Sequence, residues 1–371
     1  MKVLIINTVC GIRSTGRIVT DIADKYINDG HECVIAYGRE SVPEEYKNIS
    51  YRIGTSVSLS LNVVKSRFFD NEGFNAVSQT RRFIEWANNY NPDVLLLHNL
   101  HGYYINIELL FKWIKTRPEM QVKWTLHDCW AFTGHCAHFS FVKCDRWKDG
   151  CFKCPQKNIY PASLFFDSSK NNFSRKKACF GGVKNMTIVT PSKWLAKLVK
   201  QSFFKEYDVE VSHNSVDTAD FRPTESNFRS RYNLENHFII LGVGTTWNER
   251  KGLTDFVELA ARLDCNYKIV LVGLSKEQIK KMPNNIICIP CTDSKRELAE
   301  LYTMCDVFLN LSREESFGLT IIEALACGAY PIVYKDTACE EVVNVYGGLA
   351  VEQNIDDVID SIYKVSKHLS N

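Results

Sequence analysis

The chain has 371 residues, 45% of them hydrophobic and 24% charged, with 14 cysteines and a formal net charge of +2. That length suits two domains of about 150–200 residues rather than one core, and the composition is globular, which excludes disordered and fibrous classes. No apolar run approaches the ~18–20 residues of a membrane-spanning helix, and the apolar run within residues 1–7 is too short for the ~7–15 residue core of a signal peptide.

A cytoplasmic chain is therefore expected. There, scattered cysteines such as Cys33, Cys265, Cys288, Cys305 and Cys327 are reduced thiols acting as small buried hydrophobes. Charge is unevenly divided. Residues 1–218 hold 29 Lys+Arg against 21 Asp+Glu, a net +8, whereas residues 219–371 hold 16 against 22, a net −6. An ordinary solvated surface accounts for this. So does an N-terminal lobe that faces something anionic, such as the inner face of a membrane, through residues 174–177 and 193–205. Nucleic acid is not expected, because no basic stretch is interleaved with aromatics.

In chain order, short β-branched runs mark strands at residues 3–7, 33–37, 93–98, 122–127, 187–190 and 209–212. A second set follows at 238–243, 268–272, 286–289, 307–310, 330–333 and 349–351. Helical spacing separates them: Ile18, Ile22 and Tyr26 share one face, and Gly30 is placed to end that helix. Near-continuous Val/Ile/Leu runs are those of parallel strands covered on both faces. The fold class is therefore α/β, with two Rossmann-like domains whose parallel sheets face a central cleft. The expected division is an N-terminal domain over 1–218 and a C-terminal domain over 219–356. A final helix, 357–371, could return to the first domain.

Several segments carry chemistry. The loop before the first helix contains Arg13, Gly16 and Arg17. It lacks the GxGxxG dinucleotide fingerprint, but Gly16 permits close backbone approach; the two arginines are surface charges or phosphate contacts. His127 lies at the C-terminal end of a parallel strand, on the rim where such sheets bind ligands. It is followed by a Cys-rich insertion, 129–155. There Cys136, Cys144, Cys151 and Cys154 have spacing that admits a structural zinc ion, free thiols or disulfides. In the second half a Gly-rich turn after a strand holds Thr245, Arg250 and Lys251, which suits a diphosphate. The segment 314–328 is the most informative. Glu315 precedes a helix start at Ser316, Phe317, Gly318 and Leu319, whose amides can cradle phosphate. Glu323 lies inside the same apolar helix, where a buried carboxylate needs a partner.

Glu315 and Glu323, eight positions apart around Ser-Phe-Gly and ahead of Glu-Ala-Leu-Ala-Cys-Gly, resemble the donor motif of retaining family-4 GT-B glycosyltransferases. The resemblance covers nearly the whole chain. It implies a hexosyltransferase that moves a sugar from a UDP- or GDP-sugar to a glycan or lipid-linked acceptor, as in bacterial surface-polysaccharide assembly. It implies that Glu315 meets sugar hydroxyls, Glu323 the ribose, the backbone at 317–319 the diphosphate, and His127 the sugar, with Lys251 neutralising the leaving group. Gly16 belongs to the loop completing the site. Thr245 stands where the family has an arginine, so Arg250 or the Thr hydroxyls would substitute. No catalytic metal is implied. Residues 290–294 are where the base would be read. The competing readings are a GT-B-shaped epimerase and a nonenzymatic, zinc-stabilised binding module.

Overall fold

The computed structural model of the chain describes residues 1–369, and the chain forms two compact units, Met1–Ser212 and His213–Asn371. The first unit is built on seven strands: β1 (Lys2–Asn7), β2 (Glu32–Tyr37), β3 (Ser50–Arg52), β4 (Val94–Leu97), β5 (Gln121–Thr125), β6 (Met186–Thr190) and β7 (Val209–Val211). All pair in parallel, in the order β3-β2-β1-β4-β5-β6-β7. Its helices are α1 (Arg13–Asn28), α2 (Ser56–Phe69), α3 (Val77–Tyr90), α4 (Ile107–Lys115), α5 (Ser169–Phe180) and α6 (Lys193–Gln201).

The second unit repeats the plan with β8 (Phe238–Val243), β9 (Tyr267–Val272), β10 (Ile286–Ile289), β11 (Val307–Asn310), β12 (Tyr330–Tyr334) and β13 (Leu349–Val351). These form a parallel sheet in the order β10-β9-β8-β11-β12-β13. Its helices are α7 (Phe228–Arg231), α8 (Leu253–Arg262), α9 (Lys276–Ile279), α10 (Lys295–Met304), α11 (Leu319–Ala326), α12 (Ala338–Tyr346) and α13 (Ile355–Leu369).

The pattern of the central strands explains the sheets. Val3, Leu4, Ile5 and Ile6 are all buried, because helices cover both faces and alternation has no solvent side to serve. In each sheet the winding reverses once, between β1 and β4 and between β8 and β11. The loops leaving those strands are where a doubly wound sheet holds its ligands.

The structure departs from expectation at particular places. The short edge strand β3 carries no long apolar run and was not foreseen. The units divide between Ser212 and His213 rather than at 218. The final helix α13 contacts α8 and β13, and its Val358, Ile359 and Ile362 belong to the second unit's core, so its described part sits on its own sheet. The basic run at 174–177 is not an exposed patch. Lys176 is buried, donating to the carbonyls of Trp130 (2.8 Å) and Thr133 (3.1 Å), and Arg175 forks onto Glu108 at 2.8 and 2.7 Å.

Candidate active site

In the second unit, the loops after β8 and β9 touch through glycines. Gly273 has φ +94°, and a Cβ there would lie 1.6 Å from the Gly244 carbonyl oxygen, so no side chain fits. Trp247 anchors the same loop by donating Nε1–H to the Val272 carbonyl at 2.8 Å, and Gln278 donates to the Trp247 carbonyl at 2.7 Å. The result is a cavity of about 520 Å³ lined by Thr245, Thr246, Gly273, Ser275, Gln278 and Pro290, among others. Its size is that of a small-molecule site. Thr245 and Pro290, taken from two separate sequence segments, thus share one hollow over the ends of β8, β9 and β10.

The acidic motif lies beside the neighbouring strand. Gly252 is left-handed (φ +77°), and a Cβ there would fall 2.4 Å from the Leu311 carbonyl, so the turn before α8 packs directly on the end of β11. This brings the Lys251 ammonium onto the Glu315 carboxylate. Arg250 does not reach out as a free cation: its guanidinium donates to the Glu314 carbonyl at 2.7 Å, and the Arg250 carbonyl accepts from the Arg313 amide at 2.8 Å. Both bonds brace the loop that carries Glu315. Arg313 is itself held on Asp255 at 2.8 and 2.9 Å.

Gly318 caps α11 in the left-handed region (φ +89°), where a Cβ would meet Ile321 at 2.7 Å. The amides around Phe317, Gly318 and Leu319 therefore stand at the helix start, with no side chain on the glycine between them, while the Phe317 ring is buried in the core. Ser316 is half-buried beside them. Glu323 is buried in α11, and its carboxylate accepts from the Tyr302 hydroxyl at 2.9 Å. Burial, and then the adjacent Glu323 charge, push the Tyr302 phenol well above its ordinary range, so it serves as a donor. Tyr302 was missed in the sequence; the need of a buried carboxylate for a donor was the available signal, but nothing located the donor 21 residues upstream.

The first unit builds a different rim. His98, at the end of β4, and His127, after β5, meet at 2.9 Å between Nδ1 and Nε2. Burial lowers both imidazoles, His127 to about 4, so the pair is neutral at pH 7. Next to it the Asp128 carboxylate accepts from His101 Nε2 and from the Trp130 amide, both at 2.8 Å. Burial raises Asp128, but the charge and hydrogen bond of His101 outweigh it and leave the carboxyl well below the usual range. The other nitrogen of His101 meets the Tyr160 hydroxyl at 2.8 Å. His98, His101, His127 and Asp128 line one small hollow. The rim argument that singled out His127 applies equally to His98, which closes the strand segment 93–98 and was overlooked.

Buried Glu72 holds the loop after β4 by accepting from the Gly102 (2.6 Å) and Tyr103 (2.7 Å) amides. Its other oxygen has no hydrogen-bond partner, and burial raises its carboxyl. Gly16 lies elsewhere than expected. Helix α1 starts at Arg13, so Gly16 is buried in its first turn, where a Cβ would press on Val9 at 3.1 Å, and its carbonyl accepts from the Gly11 amide at 3.0 Å. Arg13 pairs with Glu40.

In the insertion, Cys136, Cys144, Cys151 and Cys154 line one small cavity with Phe139 and Trp147. No disulfide joins them. Cys136 and Cys154 share a hydrogen bond, which lowers the Cys154 thiol to about 7. Among the described residues, no three His, Cys, Asp or Glu side chains are drawn together as a group that could hold a metal ion.

Two doubly wound parallel sheets, each with chemistry at the ends of its switch-point strands, define the GT-B architecture. Residues 224–369 match the family model described as glycosyl transferases group 1. Over 95% of its length the chain is similar to the putative colanic acid biosynthesis glycosyl transferase WcaC of Escherichia coli (strain K12), with 23% identity across 88% of that protein. A 135-residue stretch, 33% of this chain, is 34% identical to 35% of the alpha-galactosylglucosyldiacylglycerol synthase of Streptococcus pneumoniae. Among solved structures, sucrose-phosphate synthase from Thermosynechococcus elongatus aligns with a TM-score of 0.68 at 16% identity, covering 99% of this chain and 90% of that one. Anabaena Alr3699/HepE in complex with UDP and glucose aligns with a TM-score of 0.65 at 15% identity, over 100% and 91%. The chain is a glycosyltransferase of GT-B fold, and its second unit carries the group 1 match.

Proposed function

We propose that the chain transfers a hexosyl group, with retention of anomeric configuration, from a UDP- or GDP-sugar to a glycan or lipid-linked acceptor on the cytoplasmic side of surface-polysaccharide assembly. The observation that carries this reading is the pair Glu315 and Glu323 on either side of the α11 amides, with Lys251 on Glu315. In this reading the amides at 317–319 hold the diphosphate, as a helix start favours anionic oxygen. Glu323, oriented by Tyr302, accepts from the ribose hydroxyls, and Glu315 accepts from the sugar. Lys251 offsets charge on the departing diphosphate, and Thr245 beside Pro290 faces the nucleoside.

In the transfer the bond from the anomeric carbon to the phosphate oxygen breaks, and a bond to the acceptor hydroxyl oxygen forms on the same face. The acceptor proton passes to the leaving phosphate. Neutral His127, backed by His98, donates to or accepts from sugar hydroxyls and takes no proton from the acceptor. The polysaccharide setting is supported by the similarity to WcaC, whose name places it in colanic acid biosynthesis. The lipid-linked acceptor is supported by a 28% match over 36% of this chain to a Campylobacter jejuni enzyme whose name specifies a diphospho-undecaprenol acceptor.

The test is a panel of UDP- and GDP-sugars read by thermal shift, with the product's anomeric configuration determined by NMR. A matched donor at about 100 times its Kd adds about 2.7 kcal/mol of stability. If no nucleotide or nucleotide-sugar moves the midpoint, the reading fails; conversion of the donor sugar without transfer points to the epimerase class. For the cysteine loop we propose a structural zinc ion, supported by four thiols lining one cavity, which the ion would draw inward. Stoichiometric zinc by atomic emission, lost in C151S/C154S, supports it, and metal-free protein of unchanged stability overturns it.

A further inference from the structure

Helix α2 faces the wrong way for a helix of a water-exposed surface. Val57, Leu61, Val64 and Phe68, spaced i, i+4, i+7 and i+11 along one face, are 72%, 58%, 53% and 43% exposed. Its inward face is partly polar. Buried Asn62 donates to the Tyr103 carbonyl at 3.0 Å, and buried Ser66 accepts from Asn75 at 2.9 Å, alongside Leu59 at the core. The helix is thus tied down by hydrogen bonds while its apolar stripe is presented to the outside.

A second element continues that stripe. Phe165 stacks on Phe68 with ring centroids 5.0 Å apart, Phe166 stacks on Phe69 at 5.9 Å, and the Leu164 amide donates to the Arg67 carbonyl at 2.7 Å. Ile159, Leu164, Phe165 and Phe166 are all exposed. Contiguous apolar surface of this kind marks an interaction site.

The surrounding charge selects the occupant. Lys65 and Arg67 are exposed on α2, Lys170 is exposed at the start of α5, and Lys157 donates to the Phe165 carbonyl. Of the nearby carboxylates, Asp70 is buried against His135 and the Ser168 amide, and exposed Asp167, held by the Cys154 and Ser169 amides, offsets one of these cations and leaves the rim net positive. Helix α2 itself contains two cations and no carboxylate. A second copy docking this face on itself would set cations against cations, whereas an anionic lipid surface satisfies both the stripe and its rim.

We propose that α2 and the segment 159–166 form a membrane-docking face that inserts its aliphatic and phenylalanine side chains into the headgroup boundary of an anionic phospholipid bilayer. The face reaches the histidine rim through Tyr160, bonded to His101, so a lipid-borne molecule would arrive beside that rim. The inference does not depend on the transfer reaction.

The test is flotation of the full chain with vesicles of phosphatidylcholine alone or mixed equally with phosphatidylglycerol. Three variants accompany it: L61S/V64S/F68S, F165S/F166S and K65Q/R67Q. Wild type is expected to float with the anionic vesicles and to be released by high salt. Each apolar variant should bind about tenfold more weakly or worse, and each lost cation should weaken binding about fivefold. All the substituted side chains are exposed, so unfolding should stay cooperative with midpoints lowered only by the lost ring stacks, and the helix and loop variants check one another. The idea is overturned if wild type does not float, or if both apolar variants float as it does. It is equally overturned if sedimentation without lipid shows a dimer that those variants abolish. A nucleotide-induced midpoint rise that persists in any of these outcomes leaves the transferase reading standing.

Discussion

The two units share one winding plan and equip it in opposite ways. At the ends of its central strands the first unit uses side chains against side chains: His98 on His127, and His101 on Asp128 and Tyr160. The second unit uses backbone brought close by glycines 244, 252, 273 and 318, with a few charged groups set around it. A parallel sheet supplies the location. Whether the rim is a neutral polar lattice or a main-chain cradle depends on what each loop leaves uncovered. The cradle tolerates no added atom, whereas the lattice resists added charge.

The sharpest way to break this contrast is Gly273→Ala. Its methyl group would sit 1.6 Å from the Gly244 oxygen at a left-handed φ, and the loss should be about 3 kcal/mol or more in urea unfolding, with no nucleotide response remaining. Wild-type stability in this variant would mean that the two loops do not need to touch. Next, Glu323→Ala leaves the buried Tyr302 hydroxyl without its acceptor, costing about 1–3 kcal/mol, and should erase the midpoint rise given by the responding nucleotide. Tyr302→Phe, which keeps the carboxylate, should retain a reduced rise.

Lys251→Ala should separate chemistry from stability. The Lys251–Glu315 pair is partly solvated, so unfolding should change by about 0–1 kcal/mol, while kcat/KM with the matched donor should fall by tenfold or more, about 1.4 kcal/mol of transition-state stabilisation. Equal losses in both would make Lys251 a merely structural residue. At pH 7 the smallest effect is expected in the first unit, where the change emerges only on acidification. Folded His127 titrates near 4, and an unfolded histidine near 6.5. Between those values the unfolded chain holds the extra proton, so stability declines as pH falls from 6.5 towards 4. His127→Asn should flatten that slope without abolishing it, since His98 is depressed in the same direction. A slope identical to wild type would show that the histidine pair is not what resists acid.

Local pattern determined much of this protein. Strands such as β8, β10, β11 and β13 coincide with their apolar runs, because covered parallel strands must be written in β-branched and aliphatic residues. The glutamate pair around a glycine-capped helix start was legible for a related reason: its spacing lies within one loop and one helix. Other features only the tertiary structure decided. Tyr302 reaches Glu323 from another helix, and Arg250 turns inward to a carbonyl. Lys176 leaves an apparent basic run for the interior, and α2 shows its apolar stripe to the outside. Composition and periodicity report how a segment is built, not which side of it the rest of the chain covers; that is decided by contacts between residues far apart in sequence.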